Sequence, residues 1–247
     1  MALLKNKVAV VTGSSRGIGR AIAERFAQEG AAVVVNYARS AGEARNVVAG
    51  IEAKGGKAIA IQADVSLVAD IRRLFRDTIA KFGQVDIVVT NAGPPPPDNP
   101  KPIADITEEE FDSAFAGFGR GPFFVMQEAA RALPDRGRII NISSVMTTLL
   151  TPFSSIYSGS KAALEAYSAV LAAELAPRGI TVNSVLPGAI ETKMLRDLPG
   201  ELQTMLEQRT PFGIGQPRDI AGMVAFLASE EAHWITNEKI RVDGGIR

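Results

Sequence analysis

The side chains of this sequence best suited to acid–base chemistry are Tyr157 and Lys161, which stand four positions apart. On a helix this spacing places both on one face. A free phenol titrates near pH ~10, and an adjacent ammonium lowers that pKa because it favours the phenolate. Such pairs are common on helix surfaces, so the prediction also depends on Ser144, whose hydroxyl follows an apolar run and can hydrogen-bond a carbonyl oxygen. Together the three side chains predict proton transfer to a carbonyl group.

A glycine-rich segment follows the first apolar run of the chain. Its sequence is Thr12-Gly-Ser-Ser-Arg-Gly-Ile-Gly19, and a helical pattern begins within it. Gly13 permits a tight turn, Gly17 lets the backbone approach a pyrophosphate, and Gly19 lets a helix pack closely on a strand. The start of a helix also presents free N–H groups and partial positive charge to an anion. The segment predicts a dinucleotide-binding turn, with a plain strand–helix turn as the alternative.

The end of the second apolar run predicts which dinucleotide is bound. A site for NAD usually carries Asp or Glu here to bind the ribose 2′-hydroxyl, but the window Asn36-Tyr-Ala-Arg-Ser40 has no acid before Glu43. Arg39 can pair with a 2′-phosphate, Ser40 can donate a hydrogen bond to it, and Arg16 can reach the same place. These residues favour NADP(H) over NAD(H); the alternative is that Arg39 is an ordinary surface arginine.

Short apolar runs alternate with longer helical patterns along the chain. Seven runs predict strands, at residues 8–11, 31–35, 58–62, 85–89, 139–142, 181–186 and 239–242. Helical patterns occupy residues 18–28, 41–53, 68–82, 108–133 and 157–175. This alternation predicts a parallel sheet with helices on both faces. Because no linker interrupts it, we expect one dinucleotide-binding catalytic domain over residues 1–247.

Two segments break the alternation. Residues 94–102 hold six of the fourteen prolines, and residues 187–216 form a long stretch without a clear pattern. Both follow predicted strands, and ligands of open parallel sheets bind beyond the carboxyl ends of strands. We expect the second to be a substrate loop and the prolines at 94–97 to stiffen the rim of the site. The alternative is that both are surface connections.

The composition is that of a globular protein and excludes several classes of function. Of the 247 residues, 46% are hydrophobic and 22% are charged, which excludes a disordered chain. Because 27 basic and 27 acidic side chains cancel, there is no general attraction to nucleic acid or to a membrane. With no cysteine and one histidine, no metal site is expected. The absence of a secretory signal and of long apolar runs predicts a cytoplasmic protein.

The order of these motifs resembles that of the short-chain dehydrogenase/reductase family over nearly the whole chain. The motifs are the segment 12–19, Asp64-Val65, Asn91-Ala-Gly93, Ser144, Tyr157 with Lys161, Pro187-Gly188 with Thr192, and Val242-Asp-Gly-Gly245. The chain is most similar to the 3-oxoacyl-[acyl-carrier-protein] reductases, which share an Asn-Tyr pair like Asn36-Tyr37. The resemblance implies a single-domain, Rossmann-type α/β fold, with a doubly wound, seven-stranded parallel sheet between two layers of helices.

The resemblance also implies roles for individual residues. Tyr157 would donate the proton, Ser144 would orient the carbonyl group, and Lys161 would also hold the nicotinamide ribose. Asp64 would hydrogen-bond the adenine amino group, and residues 91–93 would line the adenosine ribose. The expected cofactor contacts are Gly13, Ser15, Arg16, Gly17, Ile18, Gly19, Asn36, Tyr37, Arg39, Ser40, Asp64, Val65, Asn91, Ala92, Gly93, Tyr157, Lys161, Pro187, Gly188, Ile190 and Thr192.

The function implied is an NADP(H)-dependent oxidoreductase that transfers a hydride between nicotinamide and a carbonyl group or secondary alcohol. A 3-oxoacyl thioester on an acyl-carrier protein, a sugar, a steroid and a small ketone all remain open as substrates. Four apolar residues near Ser144 predict a partly hydrophobic one: Met146, Leu149, Leu150 and Phe153. The resemblance further implies a homotetramer in which the helices at 108–133 and 157–175 pair across one interface.

One position departs from the family pattern. The family usually carries an Asn in a stretch like Asn-x-x-Gly-x-Phe, where it helps to hold a water in a proton relay to the lysine. The matching run here is Ala116-Gly-Phe-Gly-Arg-Gly-Pro-Phe123, with Phe118 at the Asn position. Its three glycines and Pro122 also weaken a helix. The alternative function is therefore a cofactor-binding protein with little or no turnover, such as a redox sensor or a structural subunit.

Overall fold

Seven parallel strands form one sheet in this computed structural model, which describes residues 2–94 and 101–247. The strands are β1 (Val8–Val11), β2 (Ala32–Tyr37), β3 (Lys57–Gln62), β4 (Ile87–Thr90), β5 (Arg138–Ile142), β6 (Thr181–Pro187) and β7 (Lys239–Val242). Their order in the sheet is β3-β2-β1-β4-β5-β6-β7. The direction of winding reverses between β1 and β4, and such a reversal opens a crevice at the carboxyl ends of the two strands. The predicted doubly wound Rossmann-type sheet is confirmed.

Helices cover both faces of the sheet. They are α1 (Gly17–Gln28), α2 (Ala41–Glu52), α3 (Val68–Phe82), α4 (Glu108–Phe115), α5 (Gly121–Ala132), α6 (Ser155–Leu175), α7 (Lys193–Arg196), α8 (Gly200–Arg209) and α9 (Pro217–Ala228). One hydrophobic core joins the sheet to α1, α2 and α9, and a second joins it to α3, α5 and α6. Within β1, Val11 lies in the first core and Val10 in the second, because successive side chains of a strand point to opposite faces.

The helical stretch predicted at 108–133 is present over residues 108–132, but it is not one regular α-helix. The chain instead forms α4, a π-helical turn (Ala116–Arg120) and then α5. A Cβ on Gly121 would lie 2.7 Å from the carbonyl oxygen of Val65. Only glycine therefore allows the backbone at position 121 to lie this close to the segment that contains Val65. Pro122 falls in the first turn of α5, directly after the π-helical turn, and proline cannot donate a backbone hydrogen bond to the residues before it. The glycines and the proline therefore coincide with the π-helical turn within one continuous helical stretch.

The segment 187–216, predicted to be irregular, also contains helices, namely α7 and α8. The helix α9 was not predicted, although its local signals in the sequence are clear. Pro217 opens this helix, and the side chain of Asp219 accepts a hydrogen bond from the backbone N–H of Gln216 at 2.7 Å. Ile220 and Val224 follow at helical spacing and are fully buried.

The proline-rich segment lies largely outside the described residues, so the expected stiffening by the prolines at 94–97 stays a prediction. Within the described parts of the chain, the helices are too short or too polar to cross a membrane.

Candidate active site

Three side chains with acid–base potential meet beyond the carboxyl end of β5. Ser144 lies two residues past the strand, where its Oγ accepts a hydrogen bond from the backbone N–H of Met146 at 3.2 Å. Tyr157 and Lys161 lie in the first turns of α6, on the same face of the helix. The Ser144 hydroxyl lies near the Tyr157 phenol and lowers the pKa of that phenol. The structure thus brings together the three residues that the sequence singled out.

The ammonium of Lys161 is buried, and Nζ donates a hydrogen bond to the carbonyl oxygen of Ile142 at 2.7 Å. Two aromatic rings lie near it, with Nζ 5.1 Å from the ring centroid of Phe118 and 6.0 Å from that of Tyr157. Loss of hydration lowers the pKa of Lys161 to about 8, although the carboxylate of Glu165 opposes the change. Lys161 is therefore mainly charged at neutral pH.

The expectation of a lowered pKa for Tyr157 is wrong for this arrangement. Burial raises the pKa of the phenol above its ordinary value, and the nearby Ser144 hydroxyl opposes this only in part. The phenolate would lose its hydration here, while the Lys161 ammonium binds the backbone oxygen of Ile142. Tyr157 is consequently held as a neutral phenol, the form that can donate a proton.

Phe118 packs directly against the reactive pair. It is buried, and its ring meets the ring of Tyr157 edge to face, with centroids 5.1 Å apart and an angle of 89° between the planes. The ring also fills the space beside Gly93, where an added Cβ would lie 2.2 Å from a ring carbon. At the position where the family pattern has an asparagine, Phe118 thus makes apolar contacts.

The glycine segment has the conformations that its sequence predicts. Gly13 has a positive φ of +62°, and a side chain on it would lie 2.8 Å from Cα of Ala92. A side chain on Gly19 would lie 2.5 Å from the carbonyl oxygen of Gly13, so only glycine lets α1 begin this close to the turn. The residue before α1, Arg16, makes no side-chain capping bond, which leaves the first N–H groups of the helix available to an anion.

Two asparagines fix this segment to the sheet. Asn36 accepts a hydrogen bond from the backbone N–H of Gly13 at 3.1 Å and donates one to the carbonyl oxygen of Ala63 at 3.0 Å. Asn91 donates to the carbonyl oxygens of Thr12 and Gly13 at 2.9 and 3.1 Å. Their side-chain amides therefore support the turn, and direct contact of either residue with a cofactor stays a prediction.

The end of the crevice near β2 is basic. Arg16 and Arg39 are both exposed, and neither has a carboxylate within 4 Å among the described residues. Nearby, Asp64 uses its carboxylate to accept hydrogen bonds from the N–H and hydroxyl groups of Ser66, at 2.9 and 2.7 Å. Two arginines without acidic partners beside an uncapped helix fit the adenosine end of NADP(H), whose 2′-phosphate is an anion.

The segment after β6 returns over the glycine turn. Gly188 donates a hydrogen bond to the carbonyl oxygen of Val242 at 3.1 Å, and Ile190 forms a parallel bridge with Gly215. Thr192 reaches the turn itself, because a Cβ on Gly17 would lie 3.5 Å from its methyl group. The other predicted contacts also lie in the glycine segment or at the carboxyl ends of strands: Ser15, Ile18, Tyr37, Ser40, Val65, Ala92 and Pro187.

The apolar residues after Ser144 do not form one wall. Leu149 packs beside Val145, Leu186 and Ile246 in a small separate core. Leu150 and Phe153 instead line a cavity of about 690 Å³, together with Ser158 and Ala162 on a different face of α6 from Tyr157. Leu149, Leu150 and Phe153 are therefore divided between a core and a neighbouring cavity, and a partly hydrophobic substrate stays a prediction.

Comparisons with known proteins agree with this geometry. The family model described as enoyl-(acyl carrier protein) reductase matches residues 13–247. An uncharacterized oxidoreductase of Methylorubrum extorquens is 48% identical over all of this chain and all of its own length. A short-chain dehydrogenase of Burkholderia cenocepacia in complex with NADP is 39% identical, with a TM-score of 0.92 and 98% of each chain covered.

A second solved structure, the angucycline C-6 ketoreductase LanV with bound NADP, is 40% identical, with a TM-score of 0.93. The match covers 99% of this chain and 96% of that one. The family match spans the glycine turn, the Ser144–Tyr157–Lys161 cluster and the segment after β6, and these relatives align over almost their full lengths. This chain belongs to the short-chain dehydrogenase/reductase family.

Proposed function

We propose that this protein reduces carbonyl groups with NADPH, or oxidises the corresponding secondary alcohols with NADP⁺. The observation that carries the proposal is the convergence of Ser144, Tyr157 and Lys161 at the carboxyl end of β5. The crevice beside β1 and β4 opens at the same edge of the sheet. A proton donor and an anion-binding turn at one edge are the two requirements of such a reaction.

Each residue of the cluster has a separate task in the reduction. The Ser144 hydroxyl donates a hydrogen bond to the carbonyl oxygen and fixes its position beside the phenol. Tyr157 gives its proton to that oxygen, and its raised pKa keeps the proton in place until charge develops there. Lys161 stabilises the phenolate that remains. Bound nicotinamide supplies the hydride, which is chemistry of the cofactor.

The cofactor would be held by backbone and side-chain groups of the crevice. The N–H groups at the start of α1 would bind the pyrophosphate. Arg39, Arg16 and Ser40 would bind the 2′-phosphate, which is the basis for a preference for NADP(H) over NAD(H). Asp64 with Val65, residues 91–93 and the segment from Pro187 to Thr192 would complete the site.

The substrate class is a ketone, of which a 3-oxoacyl thioester is one candidate. The ketoreductase among the similar structures is described as acting at C-6 of an angucycline, which favours reduction at carbon–oxygen bonds. The family model is described as an enoyl reductase, so reduction of a carbon–carbon double bond is the alternative chemistry. An acyl-carrier protein is a partner only if the thioester is the substrate.

We further propose a homotetramer. Large apolar side chains lie exposed on the helices expected to pair, namely Phe111 of α4, Phe123 of α5 and Val170 of α6, and burial against a second copy would remove this surface from water. Light scattering on the purified protein tests the assembly.

The experiment that tests the function is an activity panel with NADPH, following absorbance of the cofactor. The panel contains aliphatic ketones, aromatic ketones, acetoacetyl thioester and crotonyl thioester, with cofactor binding measured separately as a control. We expect oxidation of NADPH with one of the ketones or with acetoacetyl thioester. Activity confined to the crotonyl thioester would establish enoyl reduction instead. Tight NADPH binding without turnover on any substrate would support the alternative of a cofactor-binding protein.

A further inference from the structure

Two of the four buried charged residues in the described chain lie together near the active site. Lys161 and Glu165 are 5% and 3% exposed and stand one turn apart on α6. The other two, Asp86 and Arg138, lie at the amino ends of β4 and β5, which is the opposite edge of a parallel sheet. Glu165 has no part in the reaction described above, so its burial needs a separate explanation.

Both oxygens of the Glu165 carboxylate are bound. Oε1 accepts a hydrogen bond from the hydroxyl of Ser143 at 2.6 Å, and Oε2 lies 3.0 Å from Nζ of Lys239. Lys239 is the first residue of β7, and 54% of its side chain is exposed. A buried carboxylate is thereby connected to the protein surface through a single ammonium group. A buried charge without such partners would strongly destabilise the fold.

The end of β5 and the loop after it supply hydrogen bonds to the side chains of both Lys161 and Glu165. The carbonyl oxygen of Ile142 accepts the hydrogen bond of Lys161, and the next residue, Ser143, donates to Glu165. On another side of Lys161 is Phe118, whose ring offers no hydrogen bond. A buried ammonium is disfavoured by lost hydration, and a carboxylate one helical turn away offsets this loss. The same carboxylate raises the pKa of Lys161, against the effect of burial.

We propose that Glu165 is a positioning residue that keeps Lys161 charged beside an apolar wall formed by Phe118, and that Lys239 ties this carboxylate to the surface. Lys161 can stabilise a Tyr157 phenolate only as an ammonium. Glu165 therefore determines how far the pH can rise before the active site loses its cation.

Among the described residues, the groups with contacts to this pair come from four parts of the fold. α6 itself supplies Tyr157, and the segment after β5 supplies the uncharged hydroxyls of Ser143 and Ser144. The π-helical turn supplies Phe118, which has no charge. β7 supplies Lys239, the charged group that pairs with Glu165. Substitution of Glu165 and of Lys239 should consequently move the titration of Lys161 in opposite directions.

The test is an NMR titration of the Lys161 side-chain 13Cε resonance in the full-length protein without cofactor, assigned by its loss in Lys161→Arg. Glu165→Gln preserves the shape of the side chain and removes its charge. We expect it to lower the Lys161 midpoint by about one pH unit or more. Glu174→Gln, at an exposed position of the same helix, is the matched control and should leave the midpoint unchanged. An unchanged midpoint in Glu165→Gln would overturn the proposal.

Lys239→Met provides a second variant if Glu165→Gln fails to fold. It removes a cation next to Glu165 and should raise the Lys161 midpoint, since the carboxylate then acts on Lys161 without a competing charge. A lowered or unchanged midpoint would contradict the proposal.

The consequence for activity rests on the proposed function. Above the new midpoint, Glu165→Gln should lose up to about tenfold in kcat/KM for every pH unit by which the Lys161 midpoint has fallen, with little change near pH ~6. If Glu165→Gln lowers the Lys161 midpoint but the unsubstituted protein has no reductase activity, the proposed function is refuted and the positioning role of Glu165 is supported. An unchanged midpoint in an active enzyme would refute the positioning role alone.

Discussion

The rings of Phe118 and Tyr157 meet edge to face, with centroids 5.1 Å apart and planes at 89°. Such a contact contributes roughly 0.5–1.5 kcal/mol beyond the burial of area. Gly93 makes it possible, because any side chain there would overlap the Phe118 ring. The phenol is thus held in place by an apolar neighbour at the position where relatives usually hold a polar one.

Substitution of Phe118 by Asn should destabilise the protein. The change removes a buried ring and leaves an amide without partners, at a combined cost of about 2–4 kcal/mol. Urea denaturation measures the loss, and Phe212→Asn at an exposed position is the control with a smaller expected loss. An unchanged free energy of unfolding together with faster turnover would instead mean that Asn restores a proton relay.

Removal of the Tyr157 hydroxyl should abolish most turnover. Tyr157→Phe keeps the ring and its contact with Phe118 but removes the proton donor, and lost acid–base catalysis typically lowers rates 10²–10⁴-fold. NADPH affinity, measured by fluorescence titration, should change little because Lys161 and the glycine turn are intact. Tyr167→Phe on the same helix is the control and should keep full activity. Full activity in Tyr157→Phe would show that the proton comes from another group.

The basic end of the crevice should distinguish the two nicotinamide cofactors. We expect NADPH to bind at least tenfold more tightly than NADH, which corresponds to about 1.4 kcal/mol. Arg39→Ala should weaken binding of NADPH and leave that of NADH nearly unchanged, because the 2′-phosphate is the difference between them. Calorimetry on the unsubstituted protein and on Arg39→Ala measures the affinities for both cofactors. Arg76→Ala, on the exposed surface of α3, is the control. Equal affinities for the two cofactors in the unsubstituted protein would contradict the assignment.

The buried ammonium of Lys161 should make stability increase with alkaline pH. Its pKa is lowered to about 8 in the folded protein, whereas an unfolded lysine titrates near ~10.4. Between these values the unfolded chain binds more protons than the folded one, so the free energy of unfolding rises with pH across this window. The gain attributable to Lys161 is on the order of 3 kcal/mol.

Urea denaturation of the cofactor-free protein from pH 7.5 to 10 tests this expectation, with Lys161→Met as the comparison. The difference in unfolding free energy between the two proteins should change by most of that amount over the range. A constant difference would show that the lysine titrates alike in the folded and unfolded states.

The sequence by itself determined the order of the seven strands and of the helices up to residue 175, because the alternation of buried runs and helical patterns is local information. It also determined the glycine turn, since a positive φ at Gly13 and the close approach at Gly19 leave no alternative to glycine. The α9 helix was not predicted, although Pro217 and Asp219 mark its start in the sequence.

Only the tertiary structure decided what surrounds the reactive side chains. The π-helical turn between α4 and α5 lies beside the close approach of Gly121 to Val65, and the environment of Tyr157 depends on Phe118. The contact of Glu165 with Lys239 joins α6 to β7, two elements far apart in the chain. The pKa of Tyr157 could not be predicted from its spacing to Lys161, because burial and hydrogen-bond direction, which set that pKa, exist only once the chain is folded.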